Sequence, residues 1–436
     1  MTSERMNQAQ GADDYTPQAG DVRYRVRRYD LELDYRIATN RLAGTAQIEL
    51  ETLVATDAVE FDLVGLRVAS VRVRGRRGAR HRHTDRRVRV ALGEVVPAGT
   101  TLQIRIDYAG APKPRRSRWG LIGWEELADG VIVAGQPTGA PTWFPCNDRV
   151  DDKARYRIAL ACDENYRVEA TGRRVRATTR SGRTTHVFEE DVPTSTYLVT
   201  AQIGRYASRA IGETAAGVPV TVAHPPELRA RVDADTAVVP RILDTFERAF
   251  GPYPMSTCRL VVTADELEIP LEAQGMAVFG ANHMDGRGGS ERLVAHELAH
   301  QWFGNSVGVE RWRDIWLNEG FACYAEWIWS EERGGPSAEA MARSHHARLR
   351  FLRKDLVLAD PGPDDMFDDR VYKRGALALH ALRTTIGDDD FFGLLREWSG
   401  AHRHGTATTA DFEAVAGESL RPWLHETALP PLPTRR

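Results

Sequence analysis

Two patterns of hydrophobic and polar residues divide the chain near residue 208. Before that point apolar and polar residues alternate in short segments separated by turn residues, the pattern of half-buried strands. Strands at short spacing, without helical runs between them, are typical of an antiparallel sandwich or barrel-like domain. We therefore predict an all-β domain over residues 21–208. Its clearest strand segments are residues 29–37, 45–51, 59–63, 102–108, 156–162 and 197–203.

After residue 208 the apolar residues recur mostly at helical spacing. A short β region and an amphipathic helix over residues 230–250 lead to a strand near residue 260, and helical segments follow. We predict a second domain over residues 209–436, a mixed α/β region that gives way to helices. The later helical segments are residues 337–355, 372–386, 390–402 and 409–419.

Composition places the chain among ordinary globular proteins. Its 436 residues are 42% hydrophobic and 27% charged, and the net charge of -3 gives no global reason to expect nucleic acid or an anionic membrane as partner. The most basic run, residues 74–87, carries no interleaved aromatic residues, so we interpret it as a solvated hairpin loop.

The N-terminus and the cysteines bear on location. Residues 1–20 lack the apolar core of a signal peptide and are predicted to be disordered, and no later run approaches the ~18 apolar residues of a membrane span. The four cysteines are too sparse for a disulfide framework and form no C-x-x-C pair. We therefore predict free thiols in a cytoplasmic protein, with its oligomeric state left open.

The chemistry centres on residues 290–329. His296 and His300 of H-E-L-A-H stand four residues apart, so in a helix they project from one face at a spacing suited to metal ligands. A catalytic zinc site uses three protein ligands and leaves the fourth position to water. Glu319, in W-L-N-E-G at the start of a second helical pattern, is the best candidate for the third ligand. Glu297 then faces the water and is the candidate general base.

Two neighbours of this group allow more than one interpretation. Glu326 lies seven residues after Glu319, on the same helical face, where it is either a group that orients a ligand or a solvated charge. Cys323 lies one turn beyond Glu319 and fits a packed core thiol better than a ligand.

These residues resemble the gluzincin zinc aminopeptidases, the family of aminopeptidase N and leukotriene hydrolase. The resemblance extends to F-P-C-N-D at residues 144–148, with K-A following at 153–154, and to V-P-T-S-T-Y-L-V-T at residues 192–200. It implies a β-sandwich followed by a thermolysin-like catalytic domain with one Zn²⁺ per chain, in a short form without the C-terminal helical domain of many members. His296, His300 and Glu319 match the family's zinc ligands, and Glu297 matches its general base.

The resemblance also implies three residues that carry little signal by themselves. Tyr372 matches the tyrosine that supports the oxyanion. Glu272 matches the glutamate that pairs with the α-ammonium group of the substrate, and Gln136 matches a position that helps to hold that amine. In the segment around Glu272 the family's glycine, methionine and asparagine are replaced by Ile269, Leu271 and Ala273.

The sequence therefore predicts a zinc-dependent aminopeptidase that removes residues from peptides with a free N-terminus. Two alternatives stay open at this point. One is an endopeptidase on the same scaffold, which the altered segment around Glu272 makes plausible. The other is an inactive scaffold that binds peptide and keeps its zinc site.

Overall fold

A computed structural model of the chain describes residues 12–76 and 79–434. The first half is built from strands whose buried and exposed residues alternate, as in β1, so that one face of each can cover a core. The strands are β1 (Tyr24–Arg36), β2 (Arg41–Thr52), β3 (Thr56–Asp62), β4 (Arg67–Val73), β5 (Arg80–His83), β6 (Arg87–Val96), β7 (Thr101–Gly110), β8 (Arg115–Ser117), β9 (Gly120–Leu127), β10 (Gly130–Ala134), β11 (Ala154–Asp163), β12 (Arg167–Ala170), β13 (Arg173–Arg180), β14 (Arg183–Thr194) and β15 (Ala201–Gly204).

These strands form three sheets around one apolar core. The largest sheet has the order β13-β14-β11-β1-β2-β7-β4, and the others have the orders β12-β15-β10-β9-β8 and β3-β6-β5. Buried residues from all three sheets, such as Leu31, Phe61 and Trp124, belong to the same cluster. The core is therefore enclosed between sheets, which is the arrangement of a β-sandwich.

One strand pairing differs from the predicted antiparallel pattern. Strand β1 pairs with β11 in parallel, whereas its other neighbour, β2, is antiparallel. A parallel pair needs a long crossover connection, and the many strands between β1 and β11 provide one. Alternation along a single strand reveals which face is buried but not the direction of the neighbouring strand, so the sequence could not reveal this pairing.

Two polar segments of the first half also have more structure than predicted. Within the basic run, Arg80–His83 forms the short strand β5 against β6, and Arg77 and Gly78 lie outside the described residues. Residues 1–11, the first part of the predicted disordered segment, also lie outside them. Residues 12–20, by contrast, pack on the second half, because Tyr15 is buried there and its hydroxyl donates to Asp360 and accepts from the Gly362 N–H.

The second half combines a small mixed sheet with nine described helices. The sheet has the order β16-β17-β18-β20-β19, and a two-residue ladder joins β21 to β22. The strands are β16 (Ala207–Glu213), β17 (Pro219–His224), β18 (Cys258–Val262), β19 (Leu271–Ala273), β20 (Met276–Phe279), β21 (Gly308–Val309) and β22 (Thr406–Ala407). The helices are α1 (Arg229–Thr236), α2 (Val239–Phe250), α3 (Glu291–Ala299), α4 (Trp316–Glu332), α5 (Ala338–Leu349), α6 (Asp369–Ile386), α7 (Asp388–Ala401), α8 (Thr409–Ala416) and α9 (Arg421–His425).

Two predicted helices differ most from the observed ones. The single helix predicted over residues 230–250 is divided into α1 and α2, because Pro240 lacks an N–H and its ring would clash with the carbonyl of Thr236, the last residue of α1. Helix α5 ends at Leu349 rather than near residue 355, and the next apolar side chain, Phe351, is 90% exposed. Among the described residues, none of the helices has the length and hydrophobicity needed to cross a bilayer.

A contact between two glycines sets the crossing of α4 and α6. A Cβ atom added to Gly320 would lie 2.8 Å from the Cα atom of Gly375, and one added to Gly375 would lie 2.7 Å from the Cα atom of Gly320. The two backbones therefore touch at this point. Because Glu319 precedes Gly320 and Tyr372 lies three residues before Gly375, the crossing brings these two side chains to the same place.

We expect Gly375→Ala to destabilise the protein. The added methyl group must push α4 and α6 apart, which costs about 1–3 kcal/mol of unfolding free energy, as overpacked cores do. Gly393→Ala is the matched control, since a Cβ atom at this position in α7 meets nothing within 4 Å. An alanine there should stabilise the helix by roughly 0.5–1 kcal/mol. Urea unfolding of the two variants measures both effects, and a Gly375→Ala protein as stable as the parent would contradict the close crossing.

Candidate active site

Three donor groups from two helices meet at the centre of the second half. His296 lies in α3, His300 follows its last residue, and Glu319 is in the first turn of α4. The Oε2 atom of Glu319 lies 3.5 Å from Nε2 of His296 and 3.4 Å from Nε2 of His300. Zinc binds such nitrogen and oxygen donors at about 2.0–2.2 Å, so the corners of a tetrahedral site lie about 3.4 Å apart. The three side chains therefore fit one zinc ion.

The other nitrogen of each imidazole is held by a neighbouring group. Nδ1 of His300 lies 3.0 Å from the carbonyl oxygen of Phe303, and because a carbonyl only accepts, Nδ1 carries the proton. Nδ1 of His296 lies 2.8 Å from Oε1 of Glu326, whose Oε2 accepts from Nη1 of Arg292 at 2.9 Å. These bonds turn both Nε2 lone pairs toward Glu319. The sequence left two interpretations for Glu326, a group that orients a ligand or a solvated charge. In the structure Glu326 is buried against His296 and is not solvated.

The electrostatics of the centre favour positive charge. Burial lowers the pKa of His296, but the carboxylates of Glu319 and Glu326 outweigh burial and raise this pKa to about 10. Burial likewise lowers the pKa of His300, and Glu319 then raises it to about 9. Burial raises the pKa of Glu319, but the two histidines outweigh it and lower this pKa to about 2. A divalent cation supplies the same positive charge and replaces the protons on the ligands.

Glu297 lies beside the donor groups without being one of them. Its side chain is buried, and among the described residues its Oε2 atom has no hydrogen-bond partner in the protein. A buried carboxylate oxygen normally has a partner, and a water or substrate molecule at the centre can supply one. Burial also raises the pKa of Glu297, which makes it a stronger base than an exposed glutamate.

The residues predicted to hold an amine lie at one end of the same centre. Nε2 of Gln136, which follows β10, donates to Oε1 of Glu272 in β19 at 2.6 Å. Glu272, Glu297 and His300 offer donor atoms that lie within 4.8 Å of one another. Burial raises the pKa of Glu272 to about 7, so a nearby cation such as an ammonium group would stabilise its charged form.

The altered segment around Glu272 remains tied to the helices. Ala273 is buried, and its carbonyl oxygen accepts from Nε2 of Gln301 at 3.1 Å and from Nδ2 of Asn305 at 2.9 Å. Ile269, by contrast, is 65% exposed at the mouth of the cleft. The replacements thus change the rim of the cleft while the strand that carries Glu272 stays anchored.

Tyr372 completes the group from α6. Its ring is stacked near that of His296, with centroids 6.0 Å apart and planes 18° from parallel. Burial, followed by the negative charges of Glu319 and Glu272, holds the pKa of Tyr372 well above its usual value. The phenol therefore keeps its proton and can donate a hydrogen bond.

All seven residues predicted from the sequence line one cleft of about 580 Å³. Their spatial grouping agrees with the prediction, whereas their chemical roles stay predictions. Sequence reasoning missed the residues on the far side of the cleft, including Arg292 and Lys373. Arg292 could have been found, because it precedes His296 by four residues and so lies on the same helical face.

Comparison with known proteins identifies the family. The model of the peptidase M1 N-terminal domain matches residues 26–198, and that of the peptidase family M1 domain matches residues 235–426. An M1 zinc metallopeptidase from Deinococcus radiodurans is 30% identical, and its crystal structure superimposes with a TM-score of 0.90 over 97% of this chain and 99% of that chain. The chain belongs to peptidase family M1.

Relatives of this M1 peptidase include longer proteins. A leucyl aminopeptidase of Saccharolobus solfataricus is 24% identical over 439 aligned positions, which cover 93% of this chain and 54% of the relative. An aminopeptidase 2 of Sulfurisphaera tokodaii, described as probable, is 24% identical over 89% of this chain and 51% of its own length. The chain thus spans about half of the length of these relatives. The predicted division at residue 208 falls between the two matched M1 regions and stays a prediction.

Proposed function

We propose that this M1 peptidase is a zinc-dependent aminopeptidase that removes N-terminal residues from peptides. The observation that carries the proposal is the half-buried carboxylate of Glu272, which lies beside Glu297 and His300 at one end of the cleft. A carboxylate next to the reacting groups and open to the cleft can bind the free ammonium group of a peptide. The distance from that carboxylate to the centre then selects the first peptide bond.

His296, His300 and Glu319 would hold the zinc ion, and zinc bound there would lower the pKa of a water molecule and polarise the carbonyl group of the substrate. Glu297 takes the proton of the attacking water on its unpartnered Oε2 and later gives it to the leaving amine. The hydroxyl of Tyr372 donates a hydrogen bond to the carbonyl oxygen as negative charge develops on it. Gln136 holds Glu272 in the orientation that receives the ammonium group.

The relatives support the proposal. The Saccharolobus protein is a leucyl aminopeptidase, and a variant of the Deinococcus enzyme has been crystallised with a Tyr-Ser-Ala substrate, with 29% identity and a TM-score of 0.90 to this chain. A cytoplasmic location also remains a proposal. It is supported by four cysteines that are all buried and free of disulfides.

We expect this enzyme to hydrolyse aminoacyl arylamides but not their N-acetylated counterparts. Acetylation removes the positive charge that Glu272 binds and should lower kcat/KM by at least about 100-fold, the effect of losing a buried charge-assisted pair. The Glu272→Gln variant should lose most activity on the free amine and show a smaller difference between the two substrates. A panel of such substrates, assayed with and without a chelator, measures both effects. Equal rates on free and acetylated substrates, or cleavage inside a blocked peptide, would contradict the exopeptidase assignment.

A further inference from the structure

The active-site cleft has a second charged end. From Glu272 and Gln136 the lining continues past the zinc ligands to a wall made by α3, α5 and α6. That wall carries three cationic side chains, Arg292, Arg348 and Lys373. We call these three residues the cationic wall. The mechanism proposed above gives none of them a contact with the substrate.

Helical spacing turns each of these side chains toward the cleft. Arg292 precedes His296 by four residues in α3, and Lys373 follows Asp369 by four residues in α6, so each shares a face with another residue of the lining. In α5 the lining residues Met341, His345 and Arg348 also recur at helical spacing. The cationic wall is therefore built from three rigid elements, which suits a binding site better than a mobile loop would.

The cationic wall and Glu272 lie on opposite sides of the zinc ligands. Glu272 groups with His300 and Glu297. Arg292, by contrast, is linked to His296 through Glu326, by contacts of 2.8 and 2.9 Å. A peptide whose ammonium group is bound by Glu272 and whose first carbonyl lies at the centre must continue toward His296 and the cationic wall.

The local charges leave the wall with an excess of positive charge. Two carboxylates face the three cations. Glu326 is shared between Arg292 and His296, and Asp369 is shared between Arg348 at 3.7 Å and Lys373 at 4.0 Å. Arg348 and Arg292 remain 67% and 55% exposed, so their unused N–H groups face the cleft and solvent. One further carboxylate would balance the wall.

We propose that the cationic wall binds the C-terminal carboxylate of a short peptide, so that the cleft recognises both ends of a dipeptide or tripeptide. Extended peptide advances about 3.3–3.6 Å per residue, so the carboxylate of a tripeptide lies roughly 7 Å beyond the scissile carbonyl. Arg292, which reaches His296 through Glu326, lies on this side of the centre. This inference relies on the proposed function for the direction of the peptide, and it adds the substrate class.

Binding can be measured separately from turnover. Zinc-loaded Glu297→Gln protein is titrated by calorimetry with three tripeptides that share the N-terminal residue preferred by the wild-type enzyme: a free acid, its C-terminal amide, and an amide with glutamate at the second position. We expect the free acid to bind about 10-fold or more tightly than either amide, which is the effect of one charge-assisted contact. For a hexapeptide the acid and the amide should bind equally, because its C-terminus lies beyond the wall.

Substitutions then assign the effect to the cationic wall. Arg348→Gln should bring the ratio of the amide Kd to the acid Kd toward one without weakening the binding of the amide. Arg292→Gln should also lower this ratio, and its zinc content is verified because Arg292 contacts Glu326, which holds His296. Arg350→Gln is the matched control, since Arg350 is exposed just after α5 and outside the cleft lining, and it should keep the ratio.

Three results would overturn the inference. They are equal Kd values for the tripeptide acid and amide, a ratio unchanged in both arginine variants, and tight binding of the glutamate-containing amide, which would assign the wall to an acidic side chain. Turnover of the free acid by the wild-type enzyme is scored separately. A lack of hydrolysis would reject the proposed function, while the ratio of Kd values would still decide the role of the wall.

Discussion

The Glu297→Gln variant is expected to keep its zinc ion and to lose activity by about 10²- to 10⁴-fold in kcat, the usual contribution of a general acid–base group. Glutamine has nearly the same shape as glutamate, so the packing around His296 and His300 should survive. It cannot accept the proton of the attacking water or return a proton to the leaving amine. The loss should therefore appear in kcat, with KM little changed.

Elemental analysis measures whether the variant keeps its zinc ion, and kcat on an arylamide measures the loss of activity.

Glu291→Gln is the matched control. It changes the same residue type in the first turn of α3, where Glu291 accepts from Nε1 of Trp329 and lies outside the cleft lining. The control should keep its turnover. A Glu297→Gln protein with near-normal kcat would remove Glu297 as the base, and one without zinc would mean that the residue supports the metal site instead.

The second large effect is expected for Tyr372→Phe. Phenylalanine keeps the ring near His296 but removes the hydroxyl that donates to the carbonyl oxygen. Loss of one such donor lowers kcat by about 10²- to 10³-fold. Because the contact strengthens only as charge develops on that oxygen, KM should change much less than kcat.

Steady-state kinetics of Tyr372→Phe, together with its melting temperature and zinc content, separate this role from a packing role. A packing role predicts a lower melting temperature with a small change in kcat. Unchanged kcat with an intact fold would reject Tyr372 as the donor. An equal rise in KM would instead assign the hydroxyl to ground-state binding.

The centre of the site was predictable because it depends on local spacing. His296 and His300 share a helical face by virtue of four-residue spacing, and Glu297 follows the first of them. The groups that hold the two imidazoles were harder to predict. Glu326 could be placed on the correct face of its helix, but its contact with His296 depends on how α3 packs against α4, and no local pattern fixes that packing.

Contacts between distant segments account for most of what the sequence did not reveal. The parallel pairing of β1 with β11 depends on the order of strands in the sheet, and the close approach of Gly320 and Gly375 depends on the crossing of two helices. The contact of Tyr15 with the second half is likewise a contact between distant segments that local composition does not reveal. The neighbours of Tyr15 have the polar composition of a disordered segment, yet one buried aromatic side chain fixes the segment against the second half.

The central claim is that His296, His300 and Glu319 hold a single zinc ion, and that hydrolysis depends on this ion. Anomalous diffraction recorded at the zinc absorption edge, on crystals of the zinc-loaded protein, tests it directly. The account predicts one strong peak within about 2.0–2.2 Å of Nε2 of His296, Nε2 of His300 and a carboxylate oxygen of Glu319. A peak elsewhere in the molecule, or a fully active protein with no peak at these three side chains, would contradict it.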